Sequence, residues 1–201
     1  MYKHLVKSTG LVFLALLAST SCAKKASEDE KVIETVLSAI KADFAKAGSP
    51  LKFNQVILVE SKWSSPKRSS FSDGLKDLEE EAARTKDRTS VSEISSALHR
   101  PSSWSPPAPV SPMSMALGSN VVVGEMEGSW RSEGHHIKGA SSWLTAIADY
   151  DLEPPGYSPD GNYAVLRGSF PWSMHSGVIR FFLKKVGTGW SVIRKVEIFY
   201  V

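Results

Sequence analysis

Glu133, Gly134, His135 and His136 set two imidazoles beside a carboxylate, the one run in this 201-residue chain that combines the two ligand types so closely. Two imidazoles and a carboxylate suit zinc, with His175 or Asp149 able to supply a further ligand. Neither H-E-x-x-H nor H-x-H occurs, and adjacent histidines on a strand point to opposite sides. Residues 133–136 are therefore expected to be an exposed turn, and no metal or other cofactor is expected. A second polar run, Asp149, Asp151 and Glu153, precedes Pro154-Pro155. General acid–base catalysis would require such carboxyls to converge on a pocket with shifted pKa values; Asp149 and His175 are the candidates for that role. An acidic turn is the plainer reading. Cys22 is the single cysteine, which excludes an intrachain disulfide and a cysteine-based metal site. No G-x-S-x-G, P-loop or G-x-G-x-x-G is present.

Cys22 also closes a segment with a chemistry of its own. Lys3, His4 and Lys7 precede the apolar run Leu11–Ala18, and the small residues Ser19, Thr20 and Ser21 follow it. Eight apolar residues fall well short of the roughly twenty that span a bilayer. The order basic, apolar, small is that of an export signal. Leu16-Leu17-Ala18-Ser19-Thr20-Ser21-Cys22 resembles the lipobox of bacterial lipoproteins, with Ser19 where leucine is usual and Leu17 two residues further back. The resemblance implies removal of residues 1–21 and attachment of a diacylglycerol to the Cys22 thiol. Ala23, rather than aspartate, at the second mature position implies the outer membrane in a two-membrane cell. An ordinary secretory cleavage after Ser21 is the alternative. Loss of Lys3 and Lys7 takes the formal net charge from +3 to +1, so the charge balance gives no reason to expect nucleic acid as a partner.

The elements that must position these groups follow from periodicity. Ser27 and Glu30 have capping-box spacing, and Val32, Ile33, Val36, Leu37, Ile40 and Phe44 recur every three or four residues. This predicts an amphipathic helix that Gly48 and Pro50 end. Leu51–Trp63 reads as a strand and Asp73–Arg88 as a charged, solvated helix. A second capping-box spacing, Ser90 and Glu93, introduces a short helix stopped by Pro101. Pro101, Pro106, Pro107, Pro109 and Pro112 then exclude helix and ladder pairing, which makes this stretch a surface crossover. Asn120–Trp130 reads as a strand, Ser141–Asp149 as a short helix, and Tyr163–Trp172, Gly177–Val186 and Trp190–Val201 as strands. Gly187-Thr188-Gly189 makes a hairpin loop of the last two.

The turn Ser158-Pro159-Asp160-Gly161, the strand after Tyr163, and the ending Phe182-Leu183-Lys184-Lys185…Gly189-Trp190-Ser191-Val192-Ile193 resemble uncharacterised bacterial envelope domains of the cystatin/NTF2-like group. That resemblance implies a fold and carries no activity. The expected class is α+β: an N-terminal amphipathic helix packed on a curved antiparallel sheet that ends in a C-terminal β-meander. Residues 1–21 are read as signal peptide, 22–27 as a lipidated tether, and 28–201 as one α+β domain with its Ser/Pro-rich crossover at about 101–119. Arg180, Lys184, Lys185, Arg194 and Lys195 give the last hairpin a basic edge suited to acidic headgroups or cell-wall polymer. The expected function is non-enzymatic binding of an envelope protein or small ligand by a lipid-anchored domain. An NTF2-like enzyme with a His/Asp acid–base residue is the rival.

Overall fold

The computed structural model describes residues 26–127, 136–140, 144–172 and 175–199. Its first element, α1 (Glu28–Lys46), begins as the spacing dictates. The Ser27 hydroxyl accepts from the Glu30 amide, and the Glu30 carboxylate accepts from the Ser27 amide. Val32, Ile33, Val36, Leu37 and Ile40 are buried along one stripe. Ser27→Ala removes one half of this reciprocal cap and is expected to cost about 1 kcal/mol, read as a lower midpoint in urea denaturation.

The chain then forms β1 (Gln55–Glu60), α2 (Phe71–Thr85), α3 (Val91–Ala97), a 3-10 turn at Pro112–Ser114, β2 (Val121–Gly124), β3 (Met126–Glu127), β4 (His136–Ile137), β5 (Thr145–Leu152), β6 (Gly156–Tyr157), β7 (Tyr163–Trp172), β8 (His175–Val186) and β9 (Gly189–Phe199). Seven strands make one sheet in the order β2-β1-β5-β7-β8-β9, with β6 also on β7, while β3 and β4 form a separate ribbon. The α+β class is as expected. The sheet is mixed rather than purely antiparallel, because β1 runs parallel to both β2 and β5. The meander β7-β8-β9 is antiparallel throughout.

Alternate residues of the strands feed opposite faces. Ile57, Val59, Tyr150, Leu152, Ala164, Leu166, Ile179, Phe181 and Leu183 pack with the stripe of α1. On the other face Tyr163, Val165, Phe182 and Val196 pack with Phe71, Leu75 and Leu78 of α2 and with Ile94 and Ala97 of α3. Val56, Leu58, Ala146 and Ile137 form a smaller cluster beside the β3–β4 ribbon.

Three local expectations are corrected. Thr145–Leu152 is a strand, not the end of a helix: β1 offers it a parallel ladder, with Ala146 buried on one face before an irregularity and Tyr150 and Leu152, two apart, buried on the other after it. The second capping box does not form, since Ser90 is left-handed (φ 70) with no side-chain cap. Its partner Glu93 instead accepts from the Tyr163 hydroxyl at 2.7 Å and from Lys184 at 2.6 Å. Nor is α2 a purely solvated helix, because Phe71, Leu75, Leu78 and Ala82 are buried against the sheet. Two glycines are required by geometry. Gly187 turns the β8–β9 hairpin at φ +59, and a Cβ on Gly156 would lie 1.8 Å from the Ser69 carbonyl oxygen.

Candidate functional site

One irregularity in the β1–β5 ladder decides where Asp149 goes. Val56 pairs with Ala146 but Ile57 pairs with Ala148, so one residue of β5 is skipped. A bulge of this kind re-aims the side chains beyond it. Tyr150 and Leu152 therefore join the α1 core, while Asp149, opposite Leu58, falls on the face away from α1 with Glu60 and Asp151 as neighbours. Asp149 Oδ1 is buried and has no hydrogen-bond partner. Burial first, and then the charges of Glu60 and Asp151, push its carboxyl up to about 7. Burial, Asp151 and Glu125 likewise raise Glu60. Asp151 is also raised, by burial and by Glu153, against a hydrogen bond from Ser64 and the Arg167 charge.

This row of carboxyls has a cationic end. Arg167 binds Glu153 at 2.6 Å, and the Ser69 hydroxyl donates to Glu153 at 3.0 Å. Glu125 is paired with Lys138 at 3.2 Å and Lys62 at 3.8 Å. A carboxyl raised to about 7 changes protonation state near neutral pH, a property that general acid–base chemistry requires.

Of the other residues singled out by sequence, the backbone places His136 and His175. Cys22, Glu133 and His135 lie outside the described residues. His136 stands opposite Glu127 in the β3–β4 ribbon. His175 opens β8 opposite Trp172, and β7 separates that strand from β5. Among the described residues no group of three or more His, Cys, Asp or Glu side chains could hold a metal ion. The expected basic edge is neutralised residue by residue. Arg180 pairs with Asp77, Lys184 with Glu93, Lys185 with Glu28, Arg194 with Glu81 and Asp87, and Lys195 with Asp43 and Glu197. The helices bring those acids to the hairpin, so it presents ion pairs rather than free cations.

A second polar centre sits at the start of α1. Asp29 is fully buried. Its Oδ1 accepts from Arg68 Nη1 at 2.8 Å and from the Tyr157 hydroxyl at 2.8 Å. Its Oδ2 accepts from Arg68 Nη2 at 3.2 Å and from the Val110 amide at 3.3 Å. Arg68 also donates to the carbonyls of Pro155 at 2.7 Å and Pro107 at 2.5 Å, and its guanidinium lies 5.3 Å from the Tyr157 ring centre. Burial, and then the Asp29 charge, raise the Tyr157 hydroxyl well above its ordinary value. Trp104 and Trp190 flank Tyr157 at 5.4 and 5.8 Å between ring centres. The centre ties α1 to the proline-rich crossover and to the loop before α2. Its signal was present in the sequence: Asp29 stands three and four residues before Val32 and Ile33, in line with the apolar stripe.

One groove, of about 580 Å³, runs between the outer flank of α1 and the β8–β9 turn, lined by Lys31, Thr35, Ser38, Lys41, Thr188 and Trp190 among others. Compared with known protein families, curated proteins and solved structures, the chain matches none.

Proposed function

We propose that this is a lipid-anchored bacterial envelope protein. On this reading residues 1–21 are removed, Cys22 carries the lipid, and the domain from Glu28 onward binds a protein or small ligand, at the periplasmic face of the outer membrane where the cell has two membranes. The observation that supports this best is where the fold starts. Ser27 caps α1 and Asp29 is already fully buried, so the packed domain begins within a few residues of Cys22. A diacylated cysteine there gives stable anchoring, which a single acyl chain does not. The groove beside Trp190 has the size of a small-ligand site and mixes an indole wall with hydroxyl and ammonium groups.

Mass spectrometry of the mature N-terminus tests the anchor, with wild type beside Cys22→Ser. The expected result is an acylated Cys22 in the membrane fraction and an unmodified variant in the soluble fraction. A wild-type chain that is soluble and unacylated overturns the reading. The enzyme reading keeps one specific observation in its favour: Asp149 has a buried Oδ1 with no hydrogen-bond partner, and burial beside Glu60 and Asp151 raises its carboxyl.

A further inference from the structure

We propose that the end of the domain bearing the start of α1 docks directly on the bilayer, inserting Val186 of the β8–β9 turn and Met113 of the 3-10 turn into its interfacial layer. This rests on the reading of Cys22 as the lipid attachment point.

The argument is geometric. From Cys22 to Ser27 there are five Cα–Cα steps, a reach of about 18 Å when fully extended. The 19 residues of α1 span about 28 Å, so the tether is shorter than the helix it leads into. A lipid on Cys22 therefore keeps the first turn of α1, and what surrounds that turn, next to the membrane. Two surface features surround it. Lys185 binds Glu28 at 3.1 Å and Trp190 Nε1 donates to Glu28 at 3.1 Å, which seats the turn between β8 and β9 beside the helix start. The Val110 amide donates to Asp29 and the Ala116 amide to Glu30 at 2.8 Å, which seats the 3-10 turn between them on the same end.

These two turns carry two of the three most exposed large apolar side chains among the described residues, Val186 at 60% and Met113 at 63%. A single exposed apolar residue means little. Two on turn tips flanking the tether's entry point are placed for a shared purpose. The third, Phe53, lies in the loop between the far end of α1 and β1 and serves as an internal control. Charge agrees with this orientation. Lys24 and Lys25 follow Cys22 and Ala23 in the sequence, so a lipid on Cys22 brings two cations to anionic headgroups. The short tether to a lipid on Cys22 holds these tips within reach of the bilayer, whose interfacial layer accepts isolated apolar side chains. The bilayer is thus the occupant these tips fit.

The test uses the full chain expressed with its own signal, its N-terminal mass determined, and the purified protein reconstituted into vesicles of phosphatidylethanolamine with a minority of phosphatidylglycerol. Amide hydrogen exchange on the vesicles is compared with that of the Cys22→Ser chain in buffer. Several-fold slowing is expected at residues 113–115 and 186–189, with none at 51–54. In a chain carrying both Met113→Asp and Val186→Asp the slowing should disappear while the protein stays on the vesicles, and Phe53→Asp should leave it intact. An acylated chain with no slowing, with equal slowing at both ends, or with slowing that survives the double substitution overturns the docking and leaves the anchor standing. An unacylated wild type overturns the anchor and the docking together.

Discussion

Replacing Asp29 with alanine is expected to lower the stability of the domain by about 3–5 kcal/mol, the range for breaking one partner of a buried ion pair. The carboxylate is an acceptor for Arg68 twice, for the Tyr157 hydroxyl and for the Val110 amide. Its removal leaves a guanidinium whose side chain is only 15% exposed, with carbonyl oxygens alone for company. The tyrosine and the amide also lose their acceptor in a place water reaches poorly. Arg68→Met is expected to cost less, because Asp29 keeps Tyr157 and Val110. The double variant should then be milder than the two single losses added together, since neither charge is stranded. Urea denaturation of the four proteins measures this coupling. A loss below about 1 kcal/mol for Asp29→Ala would show that water replaces the arginine, and that the centre does not hold the crossover.

The same centre shows why sequence reasoning reached some of this molecule and missed the rest. The first helix was legible because both of its signals are local: a cap in Ser27 and Glu30, and an apolar stripe with helical period. The last hairpin was legible for the same reason, its turn lying between two alternating runs. The three acids Glu28, Asp29 and Glu30 all suit a helix N-terminus, yet they have three different partners. Glu28 serves Lys31, Lys185 and Trp190, Glu30 closes the cap, and Asp29 is buried with Arg68, 39 residues away. Nothing local distinguishes them except the position of Asp29 on the stripe.

The fifth strand was misread because Leu144 and Ile147, three apart, look helical until a parallel partner is available. Parallel pairing of β1 with β5 joins residues about ninety positions apart, and no pattern in either segment announces it. The bulge that turns Asp149 away from α1 is equally silent in the sequence. The residue could be chosen as an acid–base candidate from its type, but its neighbour Glu60 could not be supplied.

Asp149→Asn is expected to make the domain more stable at pH 8 than wild type, by about 1–3 kcal/mol after allowance for partial exposure, and to change little at pH 4. The sign follows from the direction of the shift. The carboxyl has an ordinary value of 3.8 and is raised to about 7 in the fold. Between those values the unfolded chain has released this proton and the folded chain still holds it. Stability from this group is therefore complete at the acidic end, falls as pH rises toward 7, and stays low above it. Asparagine never acquires the charge that burial, Glu60 and Asp151 oppose, so the variant escapes the decline. Thermal or urea midpoints across pH 4–8 measure the difference between the two curves. Parallel curves would place the Asp149 carboxyl near its ordinary value and remove it from any acid–base role. The variant also separates the two functional readings, because groups held at a cost to stability are commonly kept for activity. In a binding domain Asp149→Asn should gain stability and leave membrane anchoring and ligand uptake unchanged. In an acid–base enzyme the same gain in stability should accompany loss of turnover, with the wild-type pH–rate profile bending near 7.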